Sequence, residues 1–428
     1  MIKFFIIILI IFSSCTLEKK SFFKDKTNAN NKKIELKKIK NDEILKEDFN
    51  KDLKINLSNI IEKNKFKELK NNYGREEFKS DLNNFSKYKL KKIKSFSNFE
   101  PSLVFYTNGL IFFEKEGTLK KYNYSQELIW KKNFYSKQEK KSDILLNIAG
   151  SNDMIVVADN IAKYYAVNSK NGELLWSKTN LTPFNSQIKI YKDKFYIVDY
   201  ENILHCFSIK DGNKIWSYQT DNFFVKSKKK LSIIIENKKV IFNNSIGDIT
   251  ALDANKGFLL WQTATQNNSI YAESASLITS DLVLEKESIF FSNNRNQLYS
   301  INKDNGFLNW KQSINSNIRP IITDNIIFTV SNEGFLYLID SISGNIIKSN
   351  NLLINFKDKH RQFIRPIGIA LGSDNIFLSL NNGMLVVASI ETGKIIDTFK
   401  LDGNQLSKPF IFDKSLYLIK DNSIIEYN

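Results

Sequence analysis

Five tryptophans, Trp130, Trp176, Trp216, Trp261 and Trp310, recur at intervals of 46, 40, 45 and 49 residues. A period of this length means one supersecondary unit used many times over, and it excludes folds without internal repetition. Four of the five end a Gly-x-x-x-Trp segment: Gly172–Trp176, Gly212–Trp216, Gly257–Trp261 and Gly306–Trp310. The first unit has Gln126 in place of the glycine. Two later units keep Gly344 and Gly393 but carry Lys348 and Asp397 at the aromatic position. Upstream of each such segment lies an apolar run, a turn and a second apolar run, as in Val240-Ile241-Phe242, Gly247 and Ile249-Thr250-Ala251-Leu252-Asp253. Each unit reads as three or four short antiparallel strands in about 45 residues, the size of one propeller blade.

The punctuation agrees. The first turns carry Gly117, Asn160, Asn202, Gly247, Asn296, Gly334 and Gly383, residue types that tolerate the positive φ of tight hairpins. All five prolines (Pro101, Pro183, Pro320, Pro366 and Pro409) precede or open the first strand of a unit, where no ladder hydrogen bond is lost. Units fall near 100–132, 147–178, 188–218, 233–263, 282–312, 320–350 and 366–399. The tail 408–428 supplies three further strands and lacks an outer one. Residues 85–93 are the candidate for that fourth strand, which would close the ring and remove a sheet edge open to aggregation. The predicted fold is all-β, an eight-bladed β-propeller of four-stranded antiparallel blades over 85–428, with seven blades as the alternative.

Ahead of the repeats stand two other segments. Lys3 and the apolar run Phe4–Phe12 lead into Ser13-Ser14-Cys15, too short to span a bilayer but suited to a secretory signal. Small residues before a cysteine resemble the lipobox of bacterial lipoproteins, with Phe12 where that family usually has an aliphatic residue. The resemblance implies a signal peptide over 1–14 and a lipidated Cys15. Residues 15–84 are then expected to form a charged tether with transient or short helices, Ser58 being a candidate helix start. With Cys15 modified, Cys206 is the one thiol left, so the core alone must hold the chain together.

The Ala-Leu-Asp…Gly-x-x-x-Trp unit resembles the repeat of pyrroloquinoline-quinone-type propellers from Pro101 to the C-terminus. Two families share it: quinoprotein dehydrogenases, and outer-membrane assembly lipoproteins of the BamB type. The lipoprotein start, the length and the closing strand match the second. That resemblance implies a non-catalytic, lipid-anchored scaffold on the periplasmic side of the outer membrane. It would be a monomer within the β-barrel assembly machine, chiefly bound to the barrel-inserting subunit. The alternatives are a periplasmic quinone-dependent dehydrogenase and a propeller that binds another periplasmic partner.

Little in the residues favours catalysis. One tryptophan per blade at a fixed position is what inter-blade packing requires, whereas a quinone site needs one special ring. No calcium-loop pattern, CxxC, HExxH or phosphate-binding glycine loop is present, and no metal or cofactor is expected. His205 and Cys206 are neighbours on a predicted strand and face opposite ways. His360 falls in a loop. The net charge of +16 raises nucleic acid as a partner. Yet residues 16–100 alone hold 23 basic against 14 acidic side chains, more than half of the excess. Lys228-Lys229-Lys230 and Lys91-Lys92 read as solvated clusters. In assembly lipoproteins the loops of one propeller face bind the partner's periplasmic domains. The loop that matches in position presents Phe223, Phe224, Val225 and Lys226, apolar anchors beside a charge. Glu273 in the next inter-blade loop is a candidate complementary acid.

Overall fold

The computed structural model describes residues 46–60, 71–72, 74–93, 99–106, 108–151, 153–221, 227, 229–265 and 277–428. Among these, the strands form eight four-stranded antiparallel sheets. Seven are continuous in sequence and span 104–132, 146–179, 189–219, 233–263, 283–312, 321–351 and 366–400, here blades 1 to 7. Within each blade the strands run in order A, B, C, D, and the A strands of blades 1 and 2, 2 and 3, 3 and 4, and 6 and 7 touch, which places them around the axis. The eight-bladed propeller expected from the repeat is the fold.

The middle strands are apolar almost throughout because neighbouring blades cover both their faces. Ile155, Val156, Val157 and Ala158 are wholly buried, as are Phe195, Tyr196, Ile197 and Val198. Such runs bounded by turn residues read as fully buried strands. At the B–C turn the left-handed residue is Gly117, Asn202, Gly247, Asn296, Gly334 or Gly383, as anticipated in six blades. Blade 2 differs: Ala162, with φ of 71°, takes that conformation, not Asn160. Asn160 instead accepts the Leu145 N–H and donates to the Asp143 carbonyl, both at 2.8 Å, which pins the entry to strand A.

Blade 8 is completed from the other end of the chain. Strand Phe85–Lys89 pairs antiparallel with Ser423–Tyr427, which continues to Ser415–Ile419 and Phe410–Phe412. The Tyr88 and Tyr417 hydroxyls each donate to the Glu426 carboxylate at 2.6 Å. Phe105 of blade 1 stacks on Phe412 at 4.5 Å, closing the ring.

The expected tether looks different in its described parts, 46–60, 71–72 and 74–84. They carry no helix and pack on the ring, with Ile55, Phe78 and Leu82 buried. Phe49 bridges Ser349 on the outer edge of blade 6. Ser58 donates to Asp324 at 2.7 Å, and the helix it is a candidate to start would run into 61–70, outside the described residues. Asn71 bonds Ile235, Asn72 bonds Glu285 and the Ile322 carbonyl, and Arg75 bonds the Ser373 carbonyl. These contacts lie on or beside the A–B hairpins of blades 4 to 7, so this strap crosses the face of the disc that carries those hairpins. His360 lies on a one-turn helix, Asp358–Arg361, and is exposed.

Candidate partner face and axial channel

The opposite face carries the D-to-A connections and the B–C turns. Phe223, Phe224, Val225, Lys226 and Glu273 belong to two of these connections and lie outside the described residues, as does Cys15. The frame around both connections is well defined. Asn202 Nδ2 donates to the Asp221 carbonyl at 2.9 Å, and Asn185 Nδ2 to the Ser227 carbonyl at 3.0 Å. Asn202 of blade 3 and Asn185 just ahead of that blade therefore hold the residues that flank 222–226 on either side. Around 266–276, Thr265 Oγ1 donates to the Gly247 carbonyl at 3.0 Å, and the Ile278 N–H to Asn294 Oδ1 at 3.0 Å.

Between the A strands runs an axial channel. Gly74 and Glu76 of the strap line it, and on the loop face it widens into a bowl of about 680 Å³. The channel is lined with charge. Asp281, 3% exposed, lies 3.4 Å from Lys408 Nζ and 3.9 Å from Lys229 Nζ. Burial alone would raise the Asp281 carboxyl, but Lys408, Lys229 and Arg319 outweigh it and hold it well below the ordinary range. Lys229 also donates to the Asn317 carbonyl at 2.7 Å and lies 3.6 Å from Glu100. Lys230 Nζ stands 3.9 Å from the centroid of the Phe99 ring, and burial pushes its ammonium down to about 7. Lys229 and Lys230 belong to the channel and not to a solvated cluster, and Lys228 lies outside the described residues. Their inward placement follows from strand A of blade 4, which starts just beyond them and draws them to the axis.

The repeat positions have a purely architectural geometry. Each tryptophan ring lies on the glycine of the following blade, Trp130 on Gly172, Trp176 on Gly212, Trp216 on Gly257, Trp261 on Gly306 and Trp310 on Gly344. A Cβ at these glycines would fall 2.5–2.9 Å from ring carbons. Trp130, Trp176, Trp261 and Trp310 donate Nε1–H to carbonyls of the next blade at 3.0–3.2 Å; Trp216 Nε1 is buried without a partner. Lys348 replaces the sixth ring, and its stem lies over Gly393. His205 and Cys206 do face opposite ways: His205 Nε2 lies 2.9 Å from Asp199, while burial pushes the Cys206 thiol up to about 12. No sequence motif marks Asn147, Asp281 or Lys408, which line one channel only because the A strands converge. Lys348 was visible in sequence as a break in the repeat.

A family model described as outer membrane protein assembly factor BamB matches residues 115–350. No curated protein matches the chain. Among solved structures, BamB from Moraxella catarrhalis aligns with a TM-score of 0.65 at 15% identity, over 80% of this chain and 99% of that one. Saccharomyces cerevisiae Sqt1 aligns with a TM-score of 0.59 at 12% identity, over 80% and 98%. The quinohemoprotein alcohol dehydrogenase ADHIIG from Pseudomonas putida HK5 also gives 0.59, at 9% identity, over 82% and 78%. At such identities the structural likeness speaks for the fold, which scaffolds and enzymes share. The family model speaks for descent, and because it takes in more than half of the residues, the chain belongs to the family of the outer membrane protein assembly factor BamB.

Proposed function

We propose that this chain is a non-catalytic scaffold of the outer-membrane β-barrel assembly machine, anchored through a lipid on Cys15 on the periplasmic side. The observation that supports it most is the family match over 115–350. Its loop face would hold periplasmic domains of the barrel-inserting subunit in a productive orientation, with binding as the whole mechanism. The arrangement of the described residues suits that role. The strap occupies the hairpin face, and the loop face carries the clamped connections. Apolar anchors Phe223, Phe224 and Val225 beside Lys226 supply the chemistry of an interface hot spot, with Glu273 as a complementary acid.

The test is co-purification from membranes. Phe224→Asp with Lys226→Glu is expected to abolish recovery of the assembly machine while the far-ultraviolet circular dichroism and melting of the variant stay those of the parent. Retained recovery by that folded variant removes the site assignment. Recovery of no assembly-machine subunit by the parent removes the scaffold reading itself. A chromophore retained after incubation with pyrroloquinoline quinone and Ca²⁺ would instead support the dehydrogenase.

A further inference from the structure

Three buried oxygens on the loop face of the channel accept no hydrogen bond from the described residues. Asn147 is 7% exposed, lines both channel and bowl, and its Oδ1 is unpaired. Asn317 Oδ1, on the bowl wall, is buried and unpaired as well. The third is Glu333 Oε2, in an annex of about 580 Å³ that shares Asn317, Asn332 and Arg365 with the bowl. The carboxylate of Glu333 is oriented by a relay: Asn332 Nδ2 donates to Asn315 Oδ1 at 2.9 Å, and Asn315 Nδ2 to Glu333 Oε1 at 2.8 Å. That relay fixes the direction of the Asn315 amide and ends on a carboxylate with one oxygen left over. Asn317 is held through its backbone, whose carbonyl accepts Lys229 Nζ at 2.7 Å. Buried polar atoms in folded proteins are nearly always paired, so three unmet acceptors on one face point to a donor that completes them.

The charge of the wall narrows the class of that donor. An anion brings acceptors, would leave all three oxygens unmet, and would face Glu100 and Glu333. Nor do the lysines call for a counter-ion. Lys229 lies 3.6 Å from Glu100 and 3.9 Å from Asp281, and the same two acids oppose the effect of burial on Lys230. A cation would bring donors but would meet Lys229, Lys230 and Arg365 in a bowl that holds Glu100 as its one acid. What fits is a neutral molecule rich in hydroxyls, each of which donates to one neighbour and accepts from another. The asparagine amides and the three bases supply N–H groups for its oxygens. Tyr200, partly exposed on the wall beside Leu145 and Ile278, offers a flat apolar face to the C–H side of a sugar ring.

We propose that the bowl and its annex form a binding site for a neutral saccharide, with Asn147, Asn317 and Glu333 accepting its hydroxyls and Tyr200 against its ring. The bowl's volume of about 680 Å³ lies within the roughly 300–1,000 Å³ typical of ligand pockets. The site uses none of the loop residues assigned to the partner, so either assignment stands without the other.

Saturation-transfer nuclear magnetic resonance on the full chain tests the site. The neutral probes are glucose, galactose, mannose, N-acetylglucosamine, cellobiose and chitobiose; glucosamine and glucuronate are the charged counterparts. At least one neutral probe is expected to bind with a Kd below about 10 mM. It should bind about tenfold more tightly than either charged sugar, whose extra charge the wall does not match. Tighter binding of a disaccharide than of its monosaccharide assigns the source to a glycan chain, and the reverse order to a free sugar. Glu333→Gln keeps an oxygen for Asn315 and turns the open acceptor into a donor, so it should weaken binding about tenfold. Asn147→Leu removes the unmet oxygen at similar volume. It should weaken binding likewise while melting at or above the parent's temperature, because the fold makes no use of that oxygen. If Asn147→Leu does not fold, Glu333→Gln, a change on the B–C turn of blade 6, decides alone. Absence of binding by every neutral probe at about 50 mM would show that water alone satisfies the three oxygens, and would overturn the proposal. Tighter binding of glucosamine or glucuronate, or affinity unchanged in the folded variants, would overturn it as well.

Discussion

At position 348 a lysine stands where five blades carry a tryptophan, and the reason lies in the strap. Lys348 Nζ donates to the carbonyls of Asn50, Lys51 and Leu53 at 3.0, 2.8 and 2.9 Å. A ring there would pack on Gly393 but offer the strap nothing to bind. Lys348→Met keeps the stem over Gly393 and removes the three bonds. Bonds to a charged donor are worth about 1.5–3 kcal/mol each before the lysine's own desolvation is offset. The expected outcome is release of 46–56 with the ring intact, read as new proteolytic cleavage there at an unchanged main melting transition. Glycine 257 makes the complementary point. Its φ is +75°, and a Cβ would sit 2.6 Å from two carbons of Trp216. Gly257→Ala is expected to cost about 2–4 kcal/mol in urea denaturation, combining left-handed strain with overpacking. Gly403→Ala, where nothing lies within 4 Å and φ is not left-handed, should be neutral within about 0.5 kcal/mol.

Among the elements, those in the repeat were legible and those outside it were not. Strands, turns and the closing segment could be read because every blade solves the same packing problem, and one unit's signal confirms the next. Ala162 was missed because Asn160 has the right chemistry two residues early and is used for something else. The strap was missed for a different reason. Its buried residues Ile55, Phe78 and Leu82 follow no period and are embedded among lysines and glutamates, so nothing local separates them from a solvated leash. They are buried only because blades 6 to 8 offer grooves for them. The two N-terminal elements should therefore separate experimentally. A chain beginning at Phe85 loses the strap but keeps its closing strand, and is expected to remain a monomer with a lower melting temperature. A chain beginning at Ser95 exposes the edge of strand Ser423–Tyr427, and is expected to associate or aggregate in size-exclusion chromatography with light scattering.

For the molecule as a whole, the stability of the closed ring depends on its junctions, and the one between blades 8 and 1 adds a buried ion network to its aromatic packing. Some of the described lysines of the basic N-terminal segment are paired there or on the strap, as in Lys54–Glu391, Lys79–Asp374 and Lys92–Asp421, all exposed on the lysine side and worth little singly. Glu114 differs because it is 1% exposed. It accepts the Lys91 N–H at 2.9 Å, Lys120 at 2.8 Å and Lys131 at 3.0 Å, joining the segment after the closing strand to blade 1. Burial by itself would raise its carboxyl, yet these three donors prevail and hold it below 4.5. A carboxyl lowered on folding contributes stability in full above its unfolded value, and that contribution disappears as the pH falls through the folded value. Asp159 and Asp248 work in the opposite direction, since burial raises both and acid relieves them. A comparison of wild type with Glu114→Gln isolates the one junction from this background. At pH 7 the variant should lose about 1–3 kcal/mol, less than for a fully buried pair because Lys131 is half exposed. As the pH falls through the lowered folded value the two proteins should converge, because the wild-type carboxyl is then protonated as well. A constant difference across that range, measured by urea denaturation, would show that Glu114 acts through its shape and not its charge.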